Sequence, residues 1–465
     1  MSVLVARHPA IDHLVQDHDR DDDRRPQPPI GAEALTKSRG HGQEHTTLIA
    51  HQRVTSTTPF APPRGIRPRG GRRGTVRPSV SRSCAEVNRL SLLIAVCLCT
   101  GCGARNDPVV FRATGAPGVQ GAHRYEYIFL DRELDVVQAQ PPFRLVERVR
   151  IPEFHSIRGV AVEPRSATVF ASVGGNGGSS GNGGLVAYDL LTHQVVWRRS
   201  FRTGTDSLAI TPNGRWLYVP EGERTMDDRW YVVDAHTGHV TAEIRAAPGP
   251  HNTIVSRDGT RVYLGPRNSR FLVVASTATN RVVRRIGPLK PGVRPFTVDE
   301  ARGLAYTTAT GFLGFQVSSL RTGRVLDSVP IDFPWGHTLG TPSHGIALTP
   351  DGRTLAVIDV PNSYVHVFDV SRLPPRHVAD VRLTHSMHGR ESPCGGDCGR
   401  AGWLQYGLDG RYLWVADDGN VVSAATNQVV AFIPALASSR YLFELDWRGG
   451  RPVRTGGRSG IAPLR

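Results

Sequence analysis

The chain has 465 residues, with 50 Gly and 34 Pro but only 3 Met, a composition that favours an all-β protein with many tight turns over a helical one. Lys and Arg number 56 against 41 Asp and Glu, which gives a formal net charge of +15. Solubility accounts for a moderate excess of this kind, so charge alone does not establish nucleic-acid binding.

Residues 1–86 show no apolar periodicity. They include the charge block DHDRDDDRRPQPP, and residues 45–85 contain eight Arg and no acidic side chain. A segment of this composition cannot bury enough apolar surface to offset the entropy of ordering it. We therefore expect residues 1–86 to be disordered or to lie upstream of the true start of translation.

Residues 87–101 have the pattern of an export signal. Arg89 supplies the positive charge that precedes the apolar stretch from Leu90 to Leu98. That stretch is too short to span a bilayer, and small residues follow it, as is typical of a cleaved signal peptide. The pattern predicts that the protein is exported.

The sequence Thr100-Gly101-Cys102 resembles the lipobox of bacterial lipoproteins, in which the cysteine is diacylated and becomes the new N-terminus. The resemblance implies that Cys102 carries a lipid and that residues 102–122 form a flexible tether. It further implies a lipoprotein of the cell envelope, periplasmic or on the outer surface, that meets the membrane only through its lipid. An ordinary secretory signal cut nearby is the alternative.

Two cysteines lie far from the export signal, Cys394 and Cys398 in the loop SPCGGDCGRAGW. An oxidising compartment would let them form a disulfide, and the three residues between them allow the close approach that a disulfide needs. A metal site that also uses Met387 and His388 is the alternative, although two thiols alone are a weak zinc signal.

One thirteen-residue pattern recurs through the rest of the chain. Its copies are SLAITPNGRWLYV (207–219), NTIVSRDGTRVYL (252–264), GIALTPDGRTLAV (345–357) and WLQYGLDGRYLWV (403–415), with degenerate versions at 159–171 and 295–307. Each copy places Asp-Gly or Asn-Gly between two apolar strands, which is a strong hairpin signal because these residues tolerate positive φ. A third strand, a turn and a fourth strand follow each copy.

A four-stranded antiparallel unit of this kind cannot bury both of its faces alone, but copies stacked in a ring can. The six copies predict six blades. A seventh can be assembled from residues 441–450 as the inner strand and residues 125–130, 134–139 and 143–151 as outer strands. We therefore predict an all-β, seven-bladed β-propeller closed by strands from both termini, with six blades as the alternative.

The repeated order of apolar strand, Pro-Asp-Gly, second strand and Thr-Gly turn resembles the YVTN β-propeller repeat family of exported bacterial and archaeal proteins. The resemblance covers residues 125–450. It implies a propeller over residues 123–450, followed by a C-terminal tail at 451–465. It indicates function weakly, because such propellers carry enzymes, binding proteins and surface proteins alike.

The residue just before each copy should point toward one mouth of the central channel. These residues are Arg158, Asp206, His251, Arg294, His344 and Gly402, and the seventh blade contributes Tyr441. Two Arg and two His against one Asp form a cationic ring, and the planar Arg fork suits a carboxylate or a phosphate. We predict that Arg158, Asp206, His251, Arg294 and His344 bind a small anion.

The glycine-rich sequence GGNGGSSGNGG (174–184) leads from strand to strand. A phosphate-binding loop would need a strand before it and a helix after it. We therefore interpret residues 174–184 as a long hairpin loop.

Three functions stay open. The first is a monomeric binding or scaffold propeller at the cell surface, with a small anion or a surface partner. The second is a lactonase-like hydrolase, because lactonases of similar form use His, Arg and Glu at this mouth; Glu221 or Glu223 would supply the acidic group. The third, the weakest, is binding of a polyanion or nucleic acid. We assign no catalytic residue, cofactor or metal, although His251, His344 and Asp206 are a conceivable metal ligand set.

Overall fold

The computed structural model describes the chain from residue 123 onward, with short gaps. The described residues are 123–179, 181–334, 340–385, 387, 389–390, 392–393, 398–457 and 462–463. The expectations for residues 1–86, for the signal at 87–101, for the lipid on Cys102 and for the tether at 102–122 lie outside the described residues. Within the part that is described, no helix has the length and apolar character needed to cross a membrane.

The described elements are strands, apart from two short 3₁₀ helices at Gly175–Gly178 and Leu436–Ser438. Three strands come first: β1 (Arg124–Leu130), β2 (Glu133–Gln138) and β3 (Leu145–Arg150). Six four-stranded antiparallel sheets follow, which we number blades 1 to 6 in chain order.

Blade 1 contains β4 (Gly159–Glu163), β5 (Thr168–Gly174), β6 (Gly183–Asp189) and β7 (Gln194–Phe201). Blade 2 contains β8 (Ala209–Ile210), β9 (Trp216–Pro220), β10 (Arg229–Asp234) and β11 (Val240–Arg245). Blade 3 contains β12 (Asn252–Val255), β13 (Arg261–Gly265), β14 (Leu272–Ser276) and β15 (Arg281–Ile286). Blade 4 contains β16 (Val293–Asp299), β17 (Leu304–Ala309), β18 (Phe312–Ser319) and β19 (Val325–Pro330). Blade 5 contains β20 (Ile346–Leu348), β21 (Thr354–Asp359), β22 (Tyr364–Asp369) and β23 (Arg376–Arg382). Blade 6 contains β24 (Trp403–Tyr406), β25 (Tyr412–Ala416), β26 (Asn420–Ser423) and β27 (Gln428–Phe432). In each blade the first strand is innermost and the fourth is outermost.

Blade 7 joins the two ends of the described chain. Its inner strand is β28 (Tyr441–Arg448), which pairs antiparallel with β1 from Phe129↔Tyr441 to Arg124↔Asp446. Strands β2 and β3 complete the blade. The predictions of seven blades and of closure by strands from both termini are therefore confirmed, and the six-bladed alternative is wrong.

The expectation was a C-terminal tail at 451–465, but every described residue of that range lies in a strand. β29 (Arg451–Gly457) pairs with β28 on the side away from β1, and β30 (Ala462–Pro463) pairs with β29. A tight turn at Gly449 and Gly450, with φ of 57° and 77°, reverses the chain. Backbone pairing explains the difference: β29 satisfies the N–H and C=O groups on the channel-facing edge of β28.

The core lies between the blades rather than at one centre. Seven apolar clusters occur among the described residues, and each spans one pair of neighbouring blades. Between blades 2 and 3, for example, Trp230 and Tyr218 pack with Leu264. Each large apolar side chain buried in this way contributes roughly 1.5–3 kcal/mol, so every blade is stabilised by both of its neighbours.

The Asp-Gly and Asn-Gly turns form as the repeat predicts, with one difference. Their glycines adopt positive φ of 71–73°, at Gly214, Gly259, Gly352 and Gly410. The preceding Asp or Asn does not share this conformation. It uses its side chain instead, as where Asn213 Oδ1 accepts a hydrogen bond from the amide of Arg215 at 3.0 Å. The side chain thereby satisfies a backbone donor within the turn.

Two carboxyl groups are buried together where blade 7 meets blade 6. Glu126 on β1 lies opposite Glu444 on β28, and the residues are 0% and 1% exposed. Gln405 Nε2 donates a hydrogen bond to Glu126 at 2.6 Å, and the amide of Leu408 donates one to Glu444 at 2.6 Å. Burial and the neighbouring Glu444 raise the pKa of Glu126 well above its usual range, and burial raises the pKa of Glu444 to about 7.

This pair should make the propeller less stable as the pH rises. A carboxyl whose pKa is higher in the folded protein than in the unfolded chain keeps its proton longer in the folded state, so raising the pH favours unfolding. Between about pH 5 and pH 8, we expect the free energy of unfolding to fall by on the order of 2 kcal/mol. Glu126→Gln should flatten this dependence and raise stability at the upper end, as measured by urea denaturation. Glu153→Gln, at a partly exposed side chain, is the control. An unchanged pH profile in Glu126→Gln would contradict the interpretation.

Candidate functional site

The five predicted site residues meet at one mouth of the channel, where the inner strands begin. The Nη2 atom of Arg158 lies 3.5 Å from Asp206 Oδ2, and His251 Nδ1 lies 3.1 Å from Asp206 Oδ1. The rings of His251 and His344 are 6.5 Å apart. All five residues are buried, with exposures between 1% and 6%. Their convergence follows from the repeat, since each residue precedes the inner strand of its own blade or lies at its start.

Glu223 is the centre of this group, in the loop between β9 and β10. Arg158 Nη2 donates a hydrogen bond to Glu223 Oε1 at 2.6 Å. On the other side, Arg267 Nη1 lies 3.1 Å and Arg294 Nη1 lies 3.4 Å from Glu223 Oε2. One carboxylate therefore bridges three guanidinium groups from blades 1, 3 and 4.

His251 lies between the two acidic side chains of the site. Its Nδ1 faces Asp206, and its Nε2 lies 3.9 Å from Glu223 Oε2. Asp206 is held in turn by the amides of Ser207 at 2.8 Å and Glu223 at 3.4 Å. A carboxylate behind one imidazole nitrogen fixes the orientation of the ring.

The charges of the site shift one another's pKa values. Burial raises the pKa of an acid, but the charges of His251 and Arg158 outweigh it and lower the pKa of both Asp206 and Glu223. Burial likewise opposes the charge of Arg158, yet Asp206 and Glu223 raise its pKa. Arg294 differs: burial and the nearby Arg267 lower its pKa to about 10. The positive charge of Arg294 is therefore incompletely compensated.

The glycine-rich hairpin loop covers part of the site. It connects β5 to β6 as expected, and Gly177 is buried against Arg158 and Asp206. At Gly177 the φ is 64°, and an added Cβ would come within 2.8 Å of Arg158 Nη2. The Gly177 carbonyl also accepts a hydrogen bond from the amide of Arg224 at 2.8 Å. Only glycine permits this close approach, so the loop's composition has a structural cause at the site.

Sequence reasoning missed two cationic residues. Arg267 follows β13 in the same type of loop that carries Glu223 in blade 2, so charged residues after the second strand of each blade were the available signal. Arg440, rather than Tyr441, precedes β28. Its positive charge lies near enough to Arg158 to oppose the rise in the pKa of Arg158. Of the two suggested acids, Glu223 joins the site. Glu221 instead accepts a hydrogen bond from Thr203 at 2.8 Å.

These residues define the mouth cluster: Arg158, Asp206, Glu223, His251, Arg267, Arg294, His344 and Arg440. Arg158 Nη1 also donates a hydrogen bond to Cys398 Sγ at 2.7 Å, which connects the cluster to the predicted disulfide loop. Cys394 lies outside the described residues, as does His388 of the alternative metal site. The disulfide between Cys394 and Cys398 stays a prediction.

A cavity of about 110 Å³ adjoins the cluster inside the channel. Arg440 and Tyr441 form part of its wall, and inner strands supply apolar side chains that include Leu208, Ile254 and Leu442. Thr455 and Gly457 of β29 also line it. The lining therefore mixes apolar and polar groups, with Arg440 on the side of the mouth cluster and the charged residues Glu163 and Arg257 elsewhere.

No family model matches the chain, and no curated protein matches it. A functionally unknown protein from Desulfotomaculum acetoxidans has a similar structure, with a TM-score of 0.50 and 11% identity over 68% of this chain and 98% of its own. Hydrazine synthase from Kuenenia stuttgartiensis gives a TM-score of 0.47 at 16% identity, over 64% of this chain and 94% of its own. Dihydro-heme d1 dehydrogenase NirN in complex with DHE gives a TM-score of 0.48 at 14% identity, over 77% of this chain and 76% of its own.

These likenesses concern the fold alone. The described chain is a seven-bladed β-propeller of antiparallel blades, four-stranded in blades 1 to 6 and extended by β29 and β30 in blade 7, and its mouth cluster is rich in arginine. Membership of the YVTN repeat family stays a prediction, since no family model matches.

Glu223→Gln should strongly destabilise the protein. Without the carboxylate charge, Arg158, Arg267 and Arg294 would lose their shared counterion, and breaking a buried ion pair in this way costs about 3–5 kcal/mol. Chemical denaturation measures the loss, and added sulfate should restore more stability to Glu223→Gln than to the wild type. Glu243→Gln is the control, because Glu243 is 39% exposed and pairs with Arg229 at 3.6 Å. Equal stability of the two variants would show that Glu223 does not compensate the arginines.

Proposed function

We propose that this protein is a binding propeller that holds a small anionic ligand at the mouth cluster. The observation that supports the proposal is the charge balance of the cluster. Three arginines, Arg158, Arg267 and Arg294, contact two carboxylates, those of Asp206 and Glu223. An anion would compensate the remaining positive charge.

Arg267 and Arg294 suit ligand binding better than Arg158. The guanidinium of Arg158 is already engaged by Glu223 and Cys398. Arg267 is 33% exposed at its side chain, and so presents its charge to solvent. Arg294 makes the longest contact of the three with Glu223, at 3.4 Å against 2.6 Å for Arg158 and 3.1 Å for Arg267. A bound anion would therefore gain most from Arg267 and Arg294.

The adjoining cavity supports a ligand with a carboxylate group and a short apolar body. The anionic group would lie among the arginines, and the apolar part would extend toward Leu208 and Leu442. A phosphate shares the charge chemistry but would leave Leu208 and Leu442 without an apolar partner. Arginine binds both groups through its planar fork of donors.

Ligand-induced stabilisation tests the proposal. We expect the melting temperature of the wild type to rise with one or more short-chain carboxylates or with phosphate, since a ligand at a hundredfold excess over its Kd stabilises by about 2.7 kcal/mol. Arg267→Ala and Arg294→Ala should each show a smaller rise in melting temperature, corresponding to an apparent affinity for the anion that is at least tenfold weaker. Arg245→Ala is the matched control, because Arg245 ends β11, the outermost strand of blade 2, and its side chain is 59% exposed. The proposal fails if no anion stabilises the wild type, or if the control loses as much affinity as the site variants.

A second candidate function is lactone hydrolysis, which the pairing of His251 with Asp206 favours. A carboxylate at 3.1 Å from Nδ1 would orient the imidazole as a general base. Incubation of the same proteins with a panel of lactones distinguishes the candidates. Turnover that His251→Gln abolishes would establish hydrolysis, whereas binding without turnover supports the ligand-binding function.

We also propose that the protein is exported and anchored by a lipid on Cys102, on the strength of the signal pattern at 87–101. Expressed in a bacterium, the mature protein should begin at Cys102 and carry a diacylglyceryl group, as measured by mass spectrometry of the N-terminal peptide. Cys102→Ser should lack the lipid and lose membrane association. Mature protein that retains residues 1–86, or that begins elsewhere without a lipid, would overturn the proposal.

A further inference from the structure

Two histidines and an aspartate meet on the outer strands of blade 5, away from the mouth cluster. The distance from Asp380 Oδ1 to His366 Nδ1 is 2.6 Å, and that from the same oxygen to His377 Nε2 is 2.7 Å. One ligand atom from each residue lies within 4.8 Å of the others. The three groups therefore already converge on a single point.

The hairpin of β22 and β23 produces this convergence. His366 lies directly opposite Asp380 in the strand register. A register shift at Val367 and Phe368 then brings His377 to the same side, with its ring centroid 5.7 Å from that of His366. Because two neighbouring strands supply all the groups, the ordinary folding of the blade assembles them.

A buried carboxylate supports His366 from behind. Asp359 Oδ2 lies 3.3 Å from His366 Nε2, and both side chains are 0% exposed. Asn362 holds Asp359 in place, since its Nδ2 donates to the two carboxylate oxygens at 3.0 and 2.8 Å. A histidine that ligates a metal ion commonly has its other nitrogen fixed by a carboxylate in this way.

A hydrogen bond from Nδ1–H of His366 accounts for the 2.6 Å contact with Asp380 when no ion is present, and a metal ion would take the place of that proton. If Asp359 accepts the proton on Nε2, the Nδ1 atom of a neutral His366 presents a lone pair toward the Asp380 oxygen at 2.6 Å. Two acceptors cannot remain at that distance unless a proton or a metal ion lies between them. The ring of Phe333, 4.7 Å from that of His366, restricts movement of the imidazole.

We propose that His366 Nδ1, His377 Nε2 and Asp380 bind one divalent transition-metal ion, with zinc as the best-matched metal and Asp359 as the residue that orients His366. Two imidazole nitrogens and one carboxylate oxygen are the ligands that zinc accepts, whereas calcium and magnesium prefer oxygen alone. His377 and Asp380 are 45% and 37% exposed, so both can move to accommodate an ion. Their exposure also leaves a coordination position open to water.

Metal binding can be measured directly on the full-length chain, produced without a histidine tag and stripped with a chelator. We expect the wild type to bind Zn²⁺ in calorimetry at this site, and Co²⁺ to give the visible absorption of a four-coordinate ion that Zn²⁺ then displaces. His377→Ala, at an exposed ligand, should remove the absorption and weaken Zn²⁺ binding at least a hundredfold. Asp359→Asn keeps the three ligands and should weaken binding about 10–100-fold.

His236→Ala is the matched control, because His236 is an exposed histidine in the corresponding hairpin of blade 2. It should bind Zn²⁺ as the wild type does. The proposal is overturned if the wild type binds neither ion, which would leave a proton as the shared cation. It is equally overturned if His377→Ala binds Zn²⁺ with unchanged affinity, which would place the metal elsewhere in the chain.

Discussion

The pairing of β1 with β28 is the interaction on which the rest of the propeller depends. Each blade has two apolar faces, and each face is buried only by a neighbour. A row of blades would therefore leave one apolar face exposed at each end. The β1–β28 ladder joins the ends, so that Tyr127 and Phe443 stack within one blade at 5.3 Å and every blade gains two neighbours.

The ring geometry also explains the chemistry of the mouth. Equivalent positions of different blades are brought together although they lie far apart in the sequence, and arginines at several such positions repel one another. Glu223 reduces this repulsion from within the cluster, since its two oxygens contact arginines from three blades. Arg158 and Arg294 lie at the starts of inner strands, whereas loops after the second strand of a blade supply Glu223 and Arg267.

The sequence predicted the blades well because each depends on local pattern. Apolar alternation and a glycine such as Gly214 define a hairpin without reference to distant residues. The positions that precede the inner strands were predictable for the same reason. Contacts between loops of different blades were not predictable in this way. Arg267 of blade 3 contacts Glu223 of blade 2, and no local sequence pattern indicates that the two loops approach each other.

Register was the other limit of the sequence. The assignment of Tyr441 instead of Arg440 differs by one position, and a shift of one residue in a strand changes which side chain faces the site. The convergence of His366 with His377 depends on a register shift that spacing alone does not show. β29 was missed because RPVRTGG has little apolar alternation; its pairing is mainly through backbone groups.

The antiparallel arrangement of β1 and β28 has a consequence for how the molecule would be attached to a membrane. β28 begins at the mouth cluster and ends at the opposite mouth, and β1 runs the other way, so the chain reaches Arg124 beside Asp446. The backbone just before β1 is held there, since the Trp447 amide donates to the His123 carbonyl at 2.6 Å. If Cys102 carries the proposed lipid, the chain that links the lipid to β1 joins the propeller on the face opposite the arginines. A flexible tether at 102–122 would not fix the orientation of the propeller on the membrane, but a chain that enters on this face does not cover the arginine mouth where it joins the propeller.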